Sequence, residues 1–164
     1  MEILTKVDNR IKIKSAVFDF DGTLSKLRSG WESVMEPMMC ELIPGEANEV
    51  KSLVKKYIDE STGIQTILQM RWLAETIEKR GKKALDPWEY KAEYLKRLMI
   101  DVDKRKQKIQ NGEVDPSIYK VFECEKFLSG LQSKGIKMYA ASGTDEKDVK
   151  LEAKLLGLDK YFTK

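Results

Sequence analysis

The stretch Val17-Phe18-Asp19-Phe20-Asp21-Gly22-Thr23-Leu24 constrains this chain most, because an apolar run ends in two carboxylates and passes at once into a glycine turn. Residues two apart in a strand share a face, so a strand ending at Asp19 carries both carboxylates out of the C-terminal edge of a sheet, where open α/β sheets bind ligands. Asp-Gly by itself is a common hairpin signal, but a bare turn requires neither the first aspartate nor the Thr-Leu continuation. Like charges this close repel. A hard divalent cation relieves the repulsion, and Mg2+ characteristically takes one or two carboxylates together with substrate phosphate.

Periodicity organises the rest of the 164 residues. Ile11 and Ile13, followed by Ala16-Val17-Phe18, pass from alternation to a continuous apolar run, which predicts a core strand buried on both faces. Beyond Leu24 the pattern turns helical. Trp31, Val34, Met35, Met38, Met39 and Leu42 share one face of a helix that Pro37 should kink or restart. Val50, Leu53, Val54, Tyr57 and Ile58 define a second helix, broken near Ser61-Thr62-Gly63, and a third runs from Ile64 to a stop at Gly81. Asp86-Pro87-Trp88-Glu89 is a strong helix start, with an N-cap, a proline at the first position and a glutamate at the third. The long fourth helix ends at Asn111-Gly112. Short loops between these helices predict an all-helical insertion over residues 27–115, between core segments 1–26 and 116–164.

Composition narrows the chemistry. Histidine is absent, which excludes a Ser-His-Asp triad, a Cys-His dyad and the histidine-based zinc hydrolases. Cys40 and Cys124 have no Cys-x-x-Cys spacing and predict buried thiols rather than a disulfide or zinc site. A net charge of +3 within a heavily charged composition does not point to nucleic acid. The basic run Lys104-Arg105-Lys106-Gln107-Lys108 closes a helix, where cations complement the dipole. No apolar run is long enough for a membrane span and no signal-peptide pattern opens the sequence, so the cytoplasm is the expected location.

A helix containing Phe122, Phe127, Leu128 and Leu131 should end at Gly135, and Ile136 to Ala141 reads as the next strand. Ser142-Gly143-Thr144-Asp145 follows, then a helix starting at Asp145. A hydroxyl at a strand end, a glycine that permits close approach and a helix N-terminus together make a phosphate cradle.

The string Asp19-Phe20-Asp21-Gly22-Thr23-Leu24 resembles the first motif of the haloacid dehalogenase (HAD) superfamily of phosphatases and phosphomutases, Asp-x-Asp-Gly-Thr-Leu. Ser142 is similar to the serine or threonine of its second motif. The resemblance implies an α/β, Rossmann-like core with a helical cap inserted after the first motif, and Mg2+ as cofactor. It implies that Asp19 attacks phosphorus to form an aspartyl phosphate and that Asp21 protonates the leaving oxygen and later activates water. Both aspartates would serve the metal, while Gly22, Thr23, Ser142 and Gly143 would bind phosphate. The break near Thr62-Gly63-Ile64-Gln65 falls where such caps carry a specificity loop, so Thr62 and Gln65, with Gln69 and Arg71 beside them, are expected to face substrate. An ordinary helix-helix turn accounts for the same residues equally well.

The resemblance also has gaps. The family often places Pro-Gly where Phe122-Glu123 stands, a change of loop shape. The family's lysine and later acidic pair have no counterpart, because Lys147, Lys150, Lys154 and Lys160 come too early. The core is thus expected to be incomplete at its C-terminus, with self-association or a complementing segment covering its edge. The sequence reads best as a Mg2+-dependent phosphatase of a small phosphorylated metabolite. A sugar phosphomutase shares every visible motif, and a catalytically incomplete fragment that binds metal, phosphate or a partner chain is the reading of a different class.

Overall fold

A computed structural model describes residues 12–163. Among the described residues two strands and six α-helices follow in order: β1 (Ser15–Asp19), α1 (Glu32–Leu42), α2 (Ala47–Glu60), α3 (Thr66–Lys79), α4 (Pro87–Gln110), α5 (Cys124–Ser133), β2 (Lys137–Ala141) and α6 (Glu146–Leu155). The strands pair in parallel with Asp19 beside Ala141, so Asp19 and Ser142 emerge at the same sheet edge. Parallel pairing demands a crossover, and here the five helices α1 to α5 lie within it.

Two apolar clusters result. The first joins Met35, Met38 and Met39 of α1 to Val54 of α2, Met70 and Leu73 of α3, and Tyr94, Leu98 and Val102 of α4. The second gathers Phe20, Leu24 and Leu27 with Leu128 of α5, Met138 of β2 and Ala153 and Leu156 of α6. Helix α4 reaches both, because its Ile109 belongs to the second cluster. At about 1.5 Å per residue a helix of its length spans roughly 36 Å, enough to tie the two lobes together. Its start carries the full capping box, with Asp86 accepting from the Trp88 N–H and Glu89 reaching back to Asp86.

Several expectations need correction. Pro37 lies inside one continuous α1 and neither ends nor restarts it. The first strand is not buried on both faces: Val17 is 68% exposed and its neighbour Tyr139 is 39% exposed, because the second cluster closes over the opposite face, where Met138 is buried. Ile11 lies outside the described residues. Cys124 is buried as expected, whereas Cys40 is only half-buried. Helix α5 begins after Phe122, which is 88% exposed, and Phe127 meets the core only edge-on through Phe18. Among the described residues no helix is long and apolar enough to cross a membrane.

The departure at Phe122-Glu123 has a conformational consequence. Glu123 sits at φ 57, the left-handed region that glycine occupies without penalty. Glu123→Gly is expected to stabilise the fold by about 0.5–1 kcal/mol, read as a rise of a few degrees in thermal midpoint. A fall in the midpoint would mean that the exposed Glu123–Lys126 contact outweighs the backbone penalty.

Candidate active site

The turn that follows β1 is built by the backbone. Phe20 is fully buried, and its carbonyl accepts the N–H groups of both Leu24 and Ser25, at 3.0 and 2.9 Å. Gly22 makes this possible at φ 80, where a side chain would be strained. With Phe20 anchored in the core, the aspartates on either side are left facing the crevice between the lobes. Asp19 Oδ2 accepts the Thr23 hydroxyl at 3.0 Å. Asp21 Oδ2 accepts two hydroxyls, Ser142 at 3.0 Å and Thr144 at 2.8 Å, and Ser142 Oγ in turn accepts the Thr144 N–H at 3.0 Å. The other oxygen, Asp21 Oδ1, is the one buried side-chain polar atom among the described residues that lacks a hydrogen-bond partner.

Behind Asp21 lies an ion cluster. Arg28 packs its guanidinium onto Glu152, with Nη2 at 2.8 Å and Nε at 3.2 Å from Oε1. Its Nη2 also lies 3.4 Å from Asp148, and its Nε is 4.0 Å from Asp21 Oδ1. Lys106 of α4 reaches Glu152 at 3.3 Å. Glu152 is wholly buried and Arg28 nearly so. Burial pushes the Asp21 carboxyl above its ordinary value, against the opposing pull of Thr144, Arg28 and Ser142. Burial likewise raises the Tyr94 phenol.

The crevice brings together Asp19, Asp21, Thr62, Ser142 and Gly143 from the residues expected at a site, and adds Arg28, Trp31, Lys91, Tyr94, Asp145 and Asp148. Gly22 and Thr23 lie in the turn beneath Asp19 rather than in its wall. Gln65 is the N-cap residue of α3 and does not line the crevice, but its backbone rests on the second loop: a side-chain carbon on Gly143 would stand 3.5 Å from Gln65 Cα and 3.6 Å from the Ile64 carbonyl oxygen. The Thr62 hydroxyl donates to the Ile58 carbonyl at 3.0 Å. Gln69 lines the crevice and spends its amide on Ser61, while Arg71 is exposed outside it. Sequence reasoning left Arg28, Lys91 and Glu152 unremarked, and nothing local marks them, since Arg28 and Glu152 are 124 positions apart.

A family model for haloacid dehalogenase-like hydrolases matches residues 13–164, and the chain belongs to that family. Among curated proteins none matches the sequence. A solved structure, described as a predicted phosphoglycolate phosphatase from Haemophilus somnus 129PT, is similar with a TM-score of 0.57 at 14% identity. The match covers 94% of this chain and 62% of that one, so this chain spans less than two thirds of its neighbour's length. Identity this low speaks to the fold alone, and the shared fold is the Rossmann-like core of the family.

The ion cluster sets a stability expectation. Arg28→Met leaves Glu152 buried beside Lys106 alone and should destabilise by about 3 kcal/mol in denaturant unfolding, whereas Arg28→Met with Glu152→Met should recover most of that loss. Additive losses in the double variant would deny the coupling. Asp21 sets a second expectation, through pH. A carboxyl raised in the folded state contributes stability below its ordinary value of 3.8 and loses it as pH rises through the raised value. Asp21→Asn removes that loss, so its melting temperature relative to the parent should climb from about pH 4 to about pH 7, with chelator present. A difference that stays flat or falls over that range would contradict the upward shift.

Proposed function

We propose that this chain carries the phosphoryl site of a phosphatase that acts on a small phosphorylated metabolite. The observation that carries the reading is the pairing of two unlike carboxylates at one sheet edge. Asp19 is exposed to the crevice, and Asp21 is desolvated and held by Ser142 and Thr144. Carboxylates whose environments push them apart divide the roles of nucleophile and acid between them. In this division Asp19 attacks phosphorus and the bond to the ester oxygen breaks. Asp21 delivers its proton to that departing oxygen, then takes one from the water that cleaves the aspartyl phosphate. Ser142 and the backbone at Gly143 cradle the phosphoryl oxygens, and the helical lobe serves as a cap that excludes water.

The donor set suits Mg2+. Among the described residues no cluster of three or more metal-binding side chains is assembled, which disfavours a metal held by protein alone. Mg2+ instead takes one or two carboxylates and completes its shell with water and substrate phosphate. Asp19 accepts its bond at Oδ2 and keeps Oδ1 to offer, and the backbone carbonyl of Asp21 would serve the ion beside it, leaving the Asp21 side chain to move the proton. When bound, the ion supplies positive charge to the phosphoryl oxygens.

Phosphate release from an aryl phosphate tests the reading. Asp19→Asn should abolish it, because an amide is not a competent nucleophile, and Asp21→Asn should lower it by about 10²–10⁴-fold. Turnover of Asp19→Asn within a few fold of the parent would refute the nucleophile. No Mg2+-dependent release from the parent chain would refute phosphatase activity for these residues alone.

A further inference from the structure

We propose that Lys91 forms a second anion-binding subsite, on the leaving-group side of the crevice, so that the phosphate ester recognised here bears a further negatively charged group, a carboxylate or a second phosphate. This rests on the reading of Asp19, Asp21 and Ser142 as the phosphoryl site.

Two cations line the crevice among the described residues, Arg28 and Lys91. Arg28 is committed, since it is 6% exposed and its Nε and Nη2 are taken by Glu152 and Asp148. Lys91 is held differently. It rises from α4 with a side chain only 13% exposed, its Nζ 5.2 Å from the centre of the Trp88 ring, and meets a single carboxylate, Asp145 Oδ1 at 3.1 Å. Its ammonium makes no ion pair with Asp19 or Asp21 and reaches the crevice from α4, in the helical lobe that the proposed function sets over the leaving group.

The partner is what makes the lysine available. Asp145 is the N-cap residue of α6, the position where an aspartate ordinarily accepts the N–H groups of the first turn, yet its side chain makes no capping bond. It is turned across the crevice to Lys91 instead. An incoming anion that took Lys91 would release Asp145, whose side chain is already 62% exposed, back to water and to the free N–H groups of its own helix. Lys91 has no comparable alternative: largely shielded and fixed on α4, it needs an anion in front of it. Asp145 thus acts as a resident stand-in for a ligand carboxylate or phosphate. Ile64, Leu95 and Leu98 flank the same wall, which strengthens an ion pair formed there.

The test measures binding, not turnover. Affinities for propylphosphonate, 3-phosphonopropionate and propane-1,3-diphosphonate are determined by calorimetry with Mg2+ present, on the parent chain and on Lys91→Met, Lys91→Arg and Asp145→Asn, each checked for native melting. The parent should bind at least one of the doubly anionic ligands on the order of fivefold more tightly than propylphosphonate, the gain of a charged hydrogen bond less the loss of Asp145. Which ligand gains identifies carboxylate or phosphate as the group recognised. Lys91→Met should bring that ratio to one and Lys91→Arg should retain most of it. Asp145→Asn should raise it above the parent's, since an asparagine caps the helix and does not compete for the lysine. Equal affinities in the parent, or a ratio that survives Lys91→Met, overturns the subsite. So does a fall in the ratio on Asp145→Asn, which would make the pair a structural latch. If propylphosphonate binds and the second anion adds nothing, the subsite alone fails. If none of the three binds, the phosphoryl site fails with it.

Discussion

The ion pair between Arg28 and Glu152 is the constraint on which the arrangement turns. Arg28 belongs to the segment that leads from the first turn into α1, Glu152 lies on α6, and Lys106 joins them from α4. Three parts of the chain that also meet in the second apolar cluster, through Leu27, Ile109 and Ala153, are therefore fixed by charge as well. Burying an ion pair is not an economical way to stabilise a fold, because desolvation of the two ions can exceed their attraction. Such a cluster does give register: only one placement of α4 and the linker satisfies a carboxylate that water cannot reach. Arg105 reinforces the placement by donating to the carbonyls of Leu27 and Ser29 at 2.7 and 2.9 Å.

The cluster also shapes the electrostatics above it. Asp21 stands over the guanidinium with one oxygen satisfied by two hydroxyls and the other unpaired, in surroundings that disfavour its charged form. A carboxylate held this way costs the fold something at neutral pH, and unpaired buried groups of this kind mark places where packing yields to chemistry. Asp19, two residues earlier, remains accessible. The difference arises because Phe20 between them is driven into the core, which fixes the direction of both side chains without any bond between them.

The lobes meet backbone to backbone where Gly143 lies against Ile64 and Gln65, and side chain to side chain where Lys91 meets Asp145. One contact leaves only van der Waals room beside Gly143 and the other consists of an exchangeable pair. The crevice between them joins a polar floor from the strand ends to a wall from the helical lobe in which Trp31, Ile64, Leu95 and Leu98 stand beside Thr62 and Lys91.

How much of this was legible in the sequence follows from the range of the interactions involved. The strand before Asp19, the capping box at Asp86 and the stop at Gly81 were readable because each depends on residues within one turn of one another. So was the family, through a motif contiguous from Asp19 to Leu24. The nearness of Ser142 to Asp21 was expected only through resemblance, since a parallel pairing across the helical insertion leaves no local trace. The exposed face at Val17 was misjudged because an apolar run does not reveal how many of its faces will be covered. Arg28, Lys91 and Glu152 were invisible: an arginine before a helix or a glutamate within one reads as solvated surface until tertiary structure removes the water. Local chemistry thus determined the elements and the two carboxylates. Tertiary packing alone decided which charges are buried, which oxygen is left unpaired and which lysine faces the crevice, because burial and long-range pairing are properties of the assembled chain.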